Sequence, residues 1–493
     1  MTLTNSERKS ARCGRRWWFS RAARLDSPPG RALRFGRAFD GSMERALRFY
    51  MSAPGHRLTD RGLDSCVLCA LRSSNAAPLP GCPVCAGSGG GVLTPSIAEI
   101  YADPSPYDEH GGADLFVETL RRAFVGWLRM YDDSMAEDYD VLGAQTVLAA
   151  PVTSPNTGGV YRSRVPVVST PTGWRLADGY DDPASVQLVS LPWFQLVKLD
   201  GVVRERRSGM LRAWETKTSG TPEHFSADLL LDTQLPGYVR ALWYASQRYG
   251  MFGGAEPGGW LWDVTSSTHQ RDPERLKSKL WSVRKRQRVP SWRWRAALEE
   301  SGEWGSIESA DQSVARAAML HDVAQTQHKR RAGSARAAGR GKSGADARKL
   351  RDAAGARLKV AAEQLGRAEN TAAALRLQRD AAAHIDQALY VRRWGRFTAE
   401  DLHQYEVELF AEATRLSGWL RAAPGTARLP VDADTRQRIA LHWPRVPICR
   451  LPGGHCPYVS VCLNDSENGR ENYQIGQQIS WLNAAALAAE ERE

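Results

Sequence analysis

Phe194-Gln-Leu-Val-Lys-Leu-Asp200-Gly-Val-Val203 and Met210-Leu-Arg-Ala-Trp-Glu215-Thr-Lys217-Thr218 are the two stretches on which the reading of the chain turns. Apolar residues alternate with polar ones in the first, which predicts a half-buried strand. Charged residues at 204–207 followed by Ser208-Gly209 make a turn, and the second stretch reads as the returning strand of a hairpin. Side chains on a strand repeat every two residues, so Glu215 and Lys217 share a face. Asp200 on the neighbouring strand can reach that face, which brings two carboxylates and an ammonium together. Carboxylate oxygens suit a hard cation such as Mg²⁺ or Mn²⁺. The lysine can orient a water and stabilise charge developing on phosphorus. The plainer reading is a solvent-facing strand with a Glu/Lys salt bridge, since this short pattern is common by chance.

The flanking segments extend the pattern. Asp228 to Ala245 reads as a helix, and Pro236 suits its first turn, so it starts near Gln234. Gln234 and Tyr238 then lie on one face. Near the other end, Phe35-Gly36-Arg-Ala-Phe39-Asp40-Gly-Ser-Met43-Glu44 reads as another helix that presents Asp40 and Glu44 together. The plainer readings are an amphipathic helix for the first and an exposed acidic stripe for the second.

Eight cysteines fall into two sets. Cys66-Val-Leu-Cys69 and Cys82-Pro-Val-Cys85 are two tight knuckles, each able to place two sulfurs on one ion, and they predict a four-thiolate structural zinc site. The alternative is four reduced, unliganded thiols. Cys13 stands far from Cys449, Cys456 and Cys462. Three thiolates in a short loop plus a distant one can hold an iron–sulfur cluster, a second zinc with His455 or His442, or no metal at all. Spacing alone does not choose between these.

The chain has 493 residues, 42% hydrophobic and 25% charged, with a formal charge of +11. That length predicts two or three structural units, and the composition excludes a wholly disordered chain. No run is apolar and long enough for a membrane span. Met1 to Ser10 is mostly polar, without the apolar core of a secretory signal, so the expectation is an intracellular protein with no membrane partner. The basic balance favours a polyanionic partner only modestly.

In order along the chain, these pieces resemble the RecB-type nucleases of the PD-(D/E)XK superfamily. Among these, AddB-like, CRISPR-associated and phage exonucleases are the nearest by motif. Leu3 to Phe19, with Cys13 followed by basic and aromatic residues, resembles that family's first helix. Gly36-x-x-x-Asp40-x-x-x-Glu44 is similar to its GxxxHxxxE segment. Leu199-Asp200, Glu215-Thr-Lys217 and Gln234-x-x-x-Tyr238 resemble its next three motifs, and Cys456-Pro-Tyr-x-x-x-Cys462 its terminal cysteine loop. The resemblance implies an α/β fold, a mixed central sheet flanked by helices. It implies that Asp200 and Glu215, with Asp40, hold one or two Mg²⁺ or Mn²⁺ ions. Lys217 would assist the attacking water, and Gln234 and Tyr238 would position the site. A [4Fe–4S] cluster on Cys13, Cys449, Cys456 and Cys462 would clamp the domain ends. The implied reaction is hydrolysis of DNA phosphodiesters in recombination, repair or phage DNA processing, by an exonuclease acting on duplex ends or single strands, beside a helicase or recombination partner, in the cytoplasm of a bacterial or phage-infected cell. The chain departs from the family at three places. Asp40 stands where a metal-binding His is usual, Leu199 where the superfamily name has Pro, and six residues separate Cys449 from Cys456 where two are usual.

The expected organisation is N-terminal nuclease helices over 1–60, an inserted zinc module over 61–92, a catalytic core over 93–270, a helical insertion over 271–395, and closing helices with the cysteine loop over 396–493. The insertion interleaves cations and rings at Arg284, Lys285, Arg286, Arg288, Trp292 and Trp294. Cations neutralise phosphates and rings stack on unpaired bases, so this stretch is the candidate DNA contact. The plainer reading is a solvated basic helix whose Trp residues are core. From Ser313 to about Gln387, two long helices are expected around a flexible basic linker at 329–344. Gly339-Arg-Gly341-Lys342-Ser343 is not a phosphate loop, because Arg336 stands where the earlier Gly is needed. Two further function classes stand beside the nuclease. One is a catalytically inactive nucleic-acid-binding relative, favoured by Asp40 in place of His. The other is an interaction protein built on the zinc module.

Overall fold

The computed structural model describes residues 31–72, 78–171, 173–176, 182–225, 234–283, 289–338 and 342–422, with short strands at 2–4, 25–26, 450–451, 454–455 and 474–475. The site depends on α1 (Arg31–Ser52), α2 (Gly112–Glu137), β1 (Tyr139–Pro151), β2 (Phe194–Glu205), β3 (Leu211–Ser219), α3 (Gln234–Trp243) and β4 (Pro257–Ser266). After it come α4 (Ser291–Glu300), α5 (Ile307–Ala337), α6 (Lys342–Asp380), β5 (Tyr390–Gly395) and α7 (Ala399–Ala422).

The alternating stretches at 194–203 and 210–218 form the expected hairpin. β2 and β3 pair antiparallel from Gly201↔Trp214 to Arg204↔Leu211, and Gly209 turns the chain at φ +71°, a conformation that costs glycine little. β1 runs antiparallel along the other edge of β2. β4 lies parallel to β3, as a strand joined through a helix must, and α3 is part of that connection. β5 closes the far edge antiparallel to β4. The chain is therefore α/β, with a mixed central sheet in the order β1-β2-β3-β4-β5, and the short strand Thr2–Thr4 runs parallel to β2 at Phe194–Leu196. A separate three-stranded antiparallel sheet, made from Arg162–Thr170, Gly173–Leu176 and Val186–Pro192, is inserted between β1 and β2.

Helices cover both faces because both faces are apolar. Phe35, Phe39 and Phe49 of α1 and Phe116, Phe124 and Trp127 of α2 bury against Trp214 and Leu261. Leu235, Tyr238 and Leu242 of α3 bury against Ala213, Trp262 and Val264 on the other face. Each such side chain contributes about 1.5–3 kcal/mol on burial. Gly126 of α2 leaves room for Tyr390 of β5, whose ring would collide with any Cβ at that position. A buried charge locks these layers. Asp263 on β4 is 1% exposed and accepts from Arg392 Nε and Nη2 (both 2.6 Å), Trp127 Nε1 (3.1 Å) and Trp214 Nε1 (3.2 Å). A buried carboxylate needs such partners to stay tolerable.

Two differences from expectation concern the insertion. Tyr390–Gly395 belongs to the central sheet, although it lies at the end of the stretch expected to be a helical insertion. The residues expected as a flexible linker are helical through Ala337. Ala and Arg are strong helix formers, and the single Gly333 costs only about 1 kcal/mol there. Among the described residues, no helix is long and apolar enough to cross a membrane.

Candidate functional site

β2 and β3 part company just beyond Gly201↔Trp214, where the next residues across the pair are Asp200 and Glu215. Asp200 fills the gap. Its Oδ2 accepts the Thr216 backbone N–H at 2.8 Å and the Thr216 hydroxyl at 2.9 Å. Its Oδ1 accepts Gln145 Nε2 at 3.3 Å from β1. Gln145 makes this contact from a left-handed backbone at φ +49°, inside a strand, which is costly for a residue with a Cβ.

Glu215 is 2% exposed. Its Oε1 accepts from Lys217 Nζ and, at 3.2 Å, from Gln234 Nε2, while its Oε2 is buried with no hydrogen-bond partner. Burial first, and then the Asp200 charge, push the Glu215 carboxyl up to about 8 against the pull of Lys217 and of the nearby Tyr238 hydroxyl. Burial pulls the Lys217 ammonium down, but the Glu215 and Asp200 carboxylates outweigh it and hold the group above its ordinary value. Lys217 Nζ also stands 6.0 Å from the centre of the Trp262 ring. On α3, Gln234 donates to the Tyr238 hydroxyl. Burial, with the Glu215 and Asp200 charges, holds that hydroxyl well above its ordinary value, so it stays protonated. Arg240, two residues on from Tyr238, anchors the helix through Glu406 of α7 at 2.9 Å and the Pro151 carbonyl.

Asp40 enters from α1, which packs against β3 closely enough that a Cβ on Gly36 would sit 3.5 Å from Thr218 Oγ1. Burial and then the Asp200 charge push Asp40 up to about 7, opposed by Lys217, Lys198 and the Thr216 hydroxyl. Glu44, its partner in the sequence pattern, turns instead to Arg48. The structure thus brings Asp40, Asp200, Glu215, Lys217, Gln234 and Tyr238 to one place. Three residues there carry no clear signal in the sequence. Thr216 is the middle residue of Glu-Thr-Lys, Gln145 acts through a kink that nothing in its neighbours announces, and Lys198 is detectable only as the cation two before Asp200.

The donor set is all oxygen, and a buried carboxylate oxygen lacks a partner, which is the condition a hard divalent cation satisfies. Mutual repulsion among the carboxylates, visible in Asp40 and Glu215, is what such a cation relieves. These three carboxylates do not close to within 4.8 Å of one another. Among the described residues only the four cysteines do so.

Cys66, Cys69, Cys82 and Cys85 are 5%, 2%, 5% and 4% exposed. Cys66 Sγ lies 3.6 Å from Cys82 Sγ, and Cys69 Sγ 3.6 Å from Cys85 Sγ. A disulfide needs about 2.05 Å. Four sulfurs bound to one tetrahedral ion at about 2.3 Å stand about 3.8 Å apart along each edge. The four sulfurs are thus close enough together to hold one metal ion. Burial pushes the Cys66 and Cys69 thiols up. At Cys85 burial acts the same way, but the Gly89 and Gly87 amides outweigh it and bring the thiol to about 7. The second set, Cys13, Cys449, Cys456 and Cys462, lies outside the described residues, as do Arg284, Lys285, Arg286 and Arg288.

The aromatic half of the candidate DNA contact needs correction. Trp294 is 2% exposed and packs with Trp281, Leu298 and Leu375, so it is core and not a platform for bases. Alternating Arg and Trp does not say which residue of a helix faces inward, and here burial of the larger ring decides. Trp292 is half-buried, with the Arg293 guanidinium 5.1 Å from its ring centre.

Comparison of the chain with protein-family models, with curated proteins and with solved structures finds no match.

Proposed function

We propose that the chain is a Mg²⁺- or Mn²⁺-dependent deoxyribonuclease of the PD-(D/E)XK type, acting as an exonuclease. One observation carries the reading. Asp200, Glu215 and Lys217 meet at the splayed end of an antiparallel pair, with a buried Glu215 oxygen left unpartnered and Gln234 placed on the other. The strand order supports it too, since the parallel β4 follows β3 through a helix that itself contributes Gln234 and Tyr238.

Asp40, Asp200 and Glu215 would hold the divalent cation, which would supply Lewis-acid stabilisation at the scissile phosphate. The chain's own groups do the rest. Thr216 and Gln145 fix the Asp200 carboxylate. Lys217 stays charged and available to orient a water and to neutralise charge on phosphorus. Gln234 and Tyr238 border the Glu215 carboxylate and set its orientation. For the knuckle cysteines we propose one structural Zn²⁺, because the 3.6 Å sulfur pairs fit the edges of a tetrahedron around a single ion, whereas cluster ligands sit on separate irons. The [4Fe–4S] cluster on the second cysteine set, and recombination, repair or phage DNA processing as the setting, rest on the sequence pattern alone.

A second reading has a specific observation in its favour. Lys217 Nζ lies directly on Glu215 Oε1, and the carboxylates stay apart, as in a site that keeps the fold but binds nucleic acid without cutting it. Incubation of linear DNA with the purified chain separates the two. Degradation that needs Mg²⁺ or Mn²⁺ and is lost in Lys217→Ala and Asp200→Ala supports the nuclease. Binding without degradation under both metals supports the second reading.

A further inference from the structure

Charge on this protein is concentrated where the fold protrudes. α5 and α6 pack against each other as a long antiparallel arm, with Gly355 of α6 so close to His328 of α5 that a Cβ there would sit 3.3 Å from the imidazole. With 31 and 39 residues they span about 46 and 58 Å at 1.5 Å per residue. The arm is anchored at its base, where Ala374 and Leu375 join Trp281, Trp294 and Leu298 in a small core. From Leu375 to Leu350 the helix runs about 37 Å.

The outer end is a different surface from the base. Residues 329–338 and 342–351 carry eight Lys and Arg and one acid, Asp346, so these 20 described residues hold seven of the chain's formal +11. Lys329, Arg330, Arg331, Arg336, Arg348 and Lys349 are all exposed. None of these six is ion-paired among the described residues, whereas Arg351 pairs with Asp352, and Arg376 near the base pairs with Asp311. Holding so many like charges on two adjacent helices costs stability through repulsion, and a polyanion removes that cost.

The same end says which polyanion. Leu350 is the only large apolar side chain in 329–338 and 342–351, and the exposed Met319, Leu320, Val323 and Val360 lie nearer the base of the arm, so the outer end itself offers little apolar surface for a lipid interface or a protein anchor. Recognition here is by charge alone, with Arg forks suited to phosphate oxygens. We propose that the outer end of the α5–α6 arm is a second DNA-contact surface that grips the phosphate backbone remote from the arm's base. This rests on DNA being the substrate of the carboxylate site.

The test is DNA binding by the full chain carrying Lys217→Ala, to prevent cleavage, with and without Arg330→Gln, Arg331→Gln, Arg336→Gln, Arg348→Gln and Lys349→Gln. Gln keeps helix propensity, and far-UV circular dichroism checks that the arm is intact. On a duplex several turns long, the substituted arm should bind at least about tenfold more weakly. The slope of log affinity against log salt should fall by about 0.9 for each phosphate that the arm no longer neutralises. In the chain with native Lys217, turnover of a short oligonucleotide should be unchanged by the arm substitutions. Equal affinity and slope with and without them overturns the proposal, as does failure of the chain to bind DNA. So does an arm-dependent binding confined to vesicles rich in phosphatidylserine. Hydrolysis with arm-independent binding defeats this proposal alone. Arm-dependent binding without hydrolysis defeats the nuclease reading alone.

Discussion

Asp200 Oδ2 takes both the backbone N–H and the hydroxyl of Thr216, at 2.8 and 2.9 Å, so the carboxylate on β2 is tied to the residue between Glu215 and Lys217 on β3. The two strands stop pairing at this point, and the side chain takes the place of the ladder bond. The placement of Asp200 beside Glu215 and Lys217 is thereby set by the hairpin itself and does not depend on a loop.

Thr216→Val keeps the shape of this buried side chain and removes only its hydroxyl, which Asp200 and Asp40 share. The loss should cost about 1 kcal/mol of stability. Asp40 then loses a group that holds its carboxyl down, so the acid limb of the kcat/KM profile for DNA cleavage should move to higher pH. An unmoved limb would separate Asp40 from the chemistry.

Gln145 pairs strain with function. Gln145→Gly accepts φ +49° readily and should hold or raise the melting temperature, by up to about 1 kcal/mol of relieved strain. It also deletes the amide on Asp200 Oδ1, so cleavage should fall about tenfold while DNA affinity stays. A lower melting temperature with unchanged cleavage would make Gln145 a structural residue only.

The raised carboxyls make stability depend on pH in a stated direction. Asp40 at about 7 and Glu215 at about 8 bind protons in the folded chain that the unfolded chain releases near its ordinary values of 3.8 and 4.5. Over that window the folded state binds more protons, so stability falls as pH rises from about 4 to about 8. Added Mn²⁺ should stabilise more at pH 8 than at pH 6, because ligands must shed protons to bind it. Thermal melts of the chain and of Glu215→Gln, with and without Mn²⁺, check this. The substitution should flatten the slope and remove the Mn²⁺ effect.

The knuckle cysteines should hold one equivalent of zinc by elemental analysis. Cys66→Ser and Cys82→Ser should lose it and lower the melting temperature, since the four cysteines belong to the same hydrophobic core as Leu63, Leu68, Val84 and Val92. Zinc content unchanged in both variants would place the metal elsewhere.

What could be read without coordinates follows from how local each signal is. The hairpin, Asp200, Glu215 and Lys217 were legible because strand alternation and a charged turn assign faces within one short stretch. Gln234 and Tyr238 were legible for the same reason on a helix, and the knuckles because two CxxC pairs specify a tetrahedron almost by themselves. β5 was not legible, because it joins β4 only after more than a hundred intervening residues, and nothing in Tyr390–Gly395 names its partner. Trp294 could not be assigned because an Arg/Trp alternation fits either face of a helix. The role of Gln145 depends on one backbone angle and a register across two strands, neither of which its neighbours encode.

Crystals grown with Mn²⁺ and measured at a wavelength where manganese scatters anomalously put the matter most directly. A shared ion predicts an anomalous peak within bonding distance, about 2.0–2.2 Å, of both an Asp200 and a Glu215 oxygen, with Lys217 Nζ displaced from Glu215 Oε1. Manganese-saturated crystals with no peak between those two carboxylates would contradict the site as drawn, and with it the cleavage chemistry.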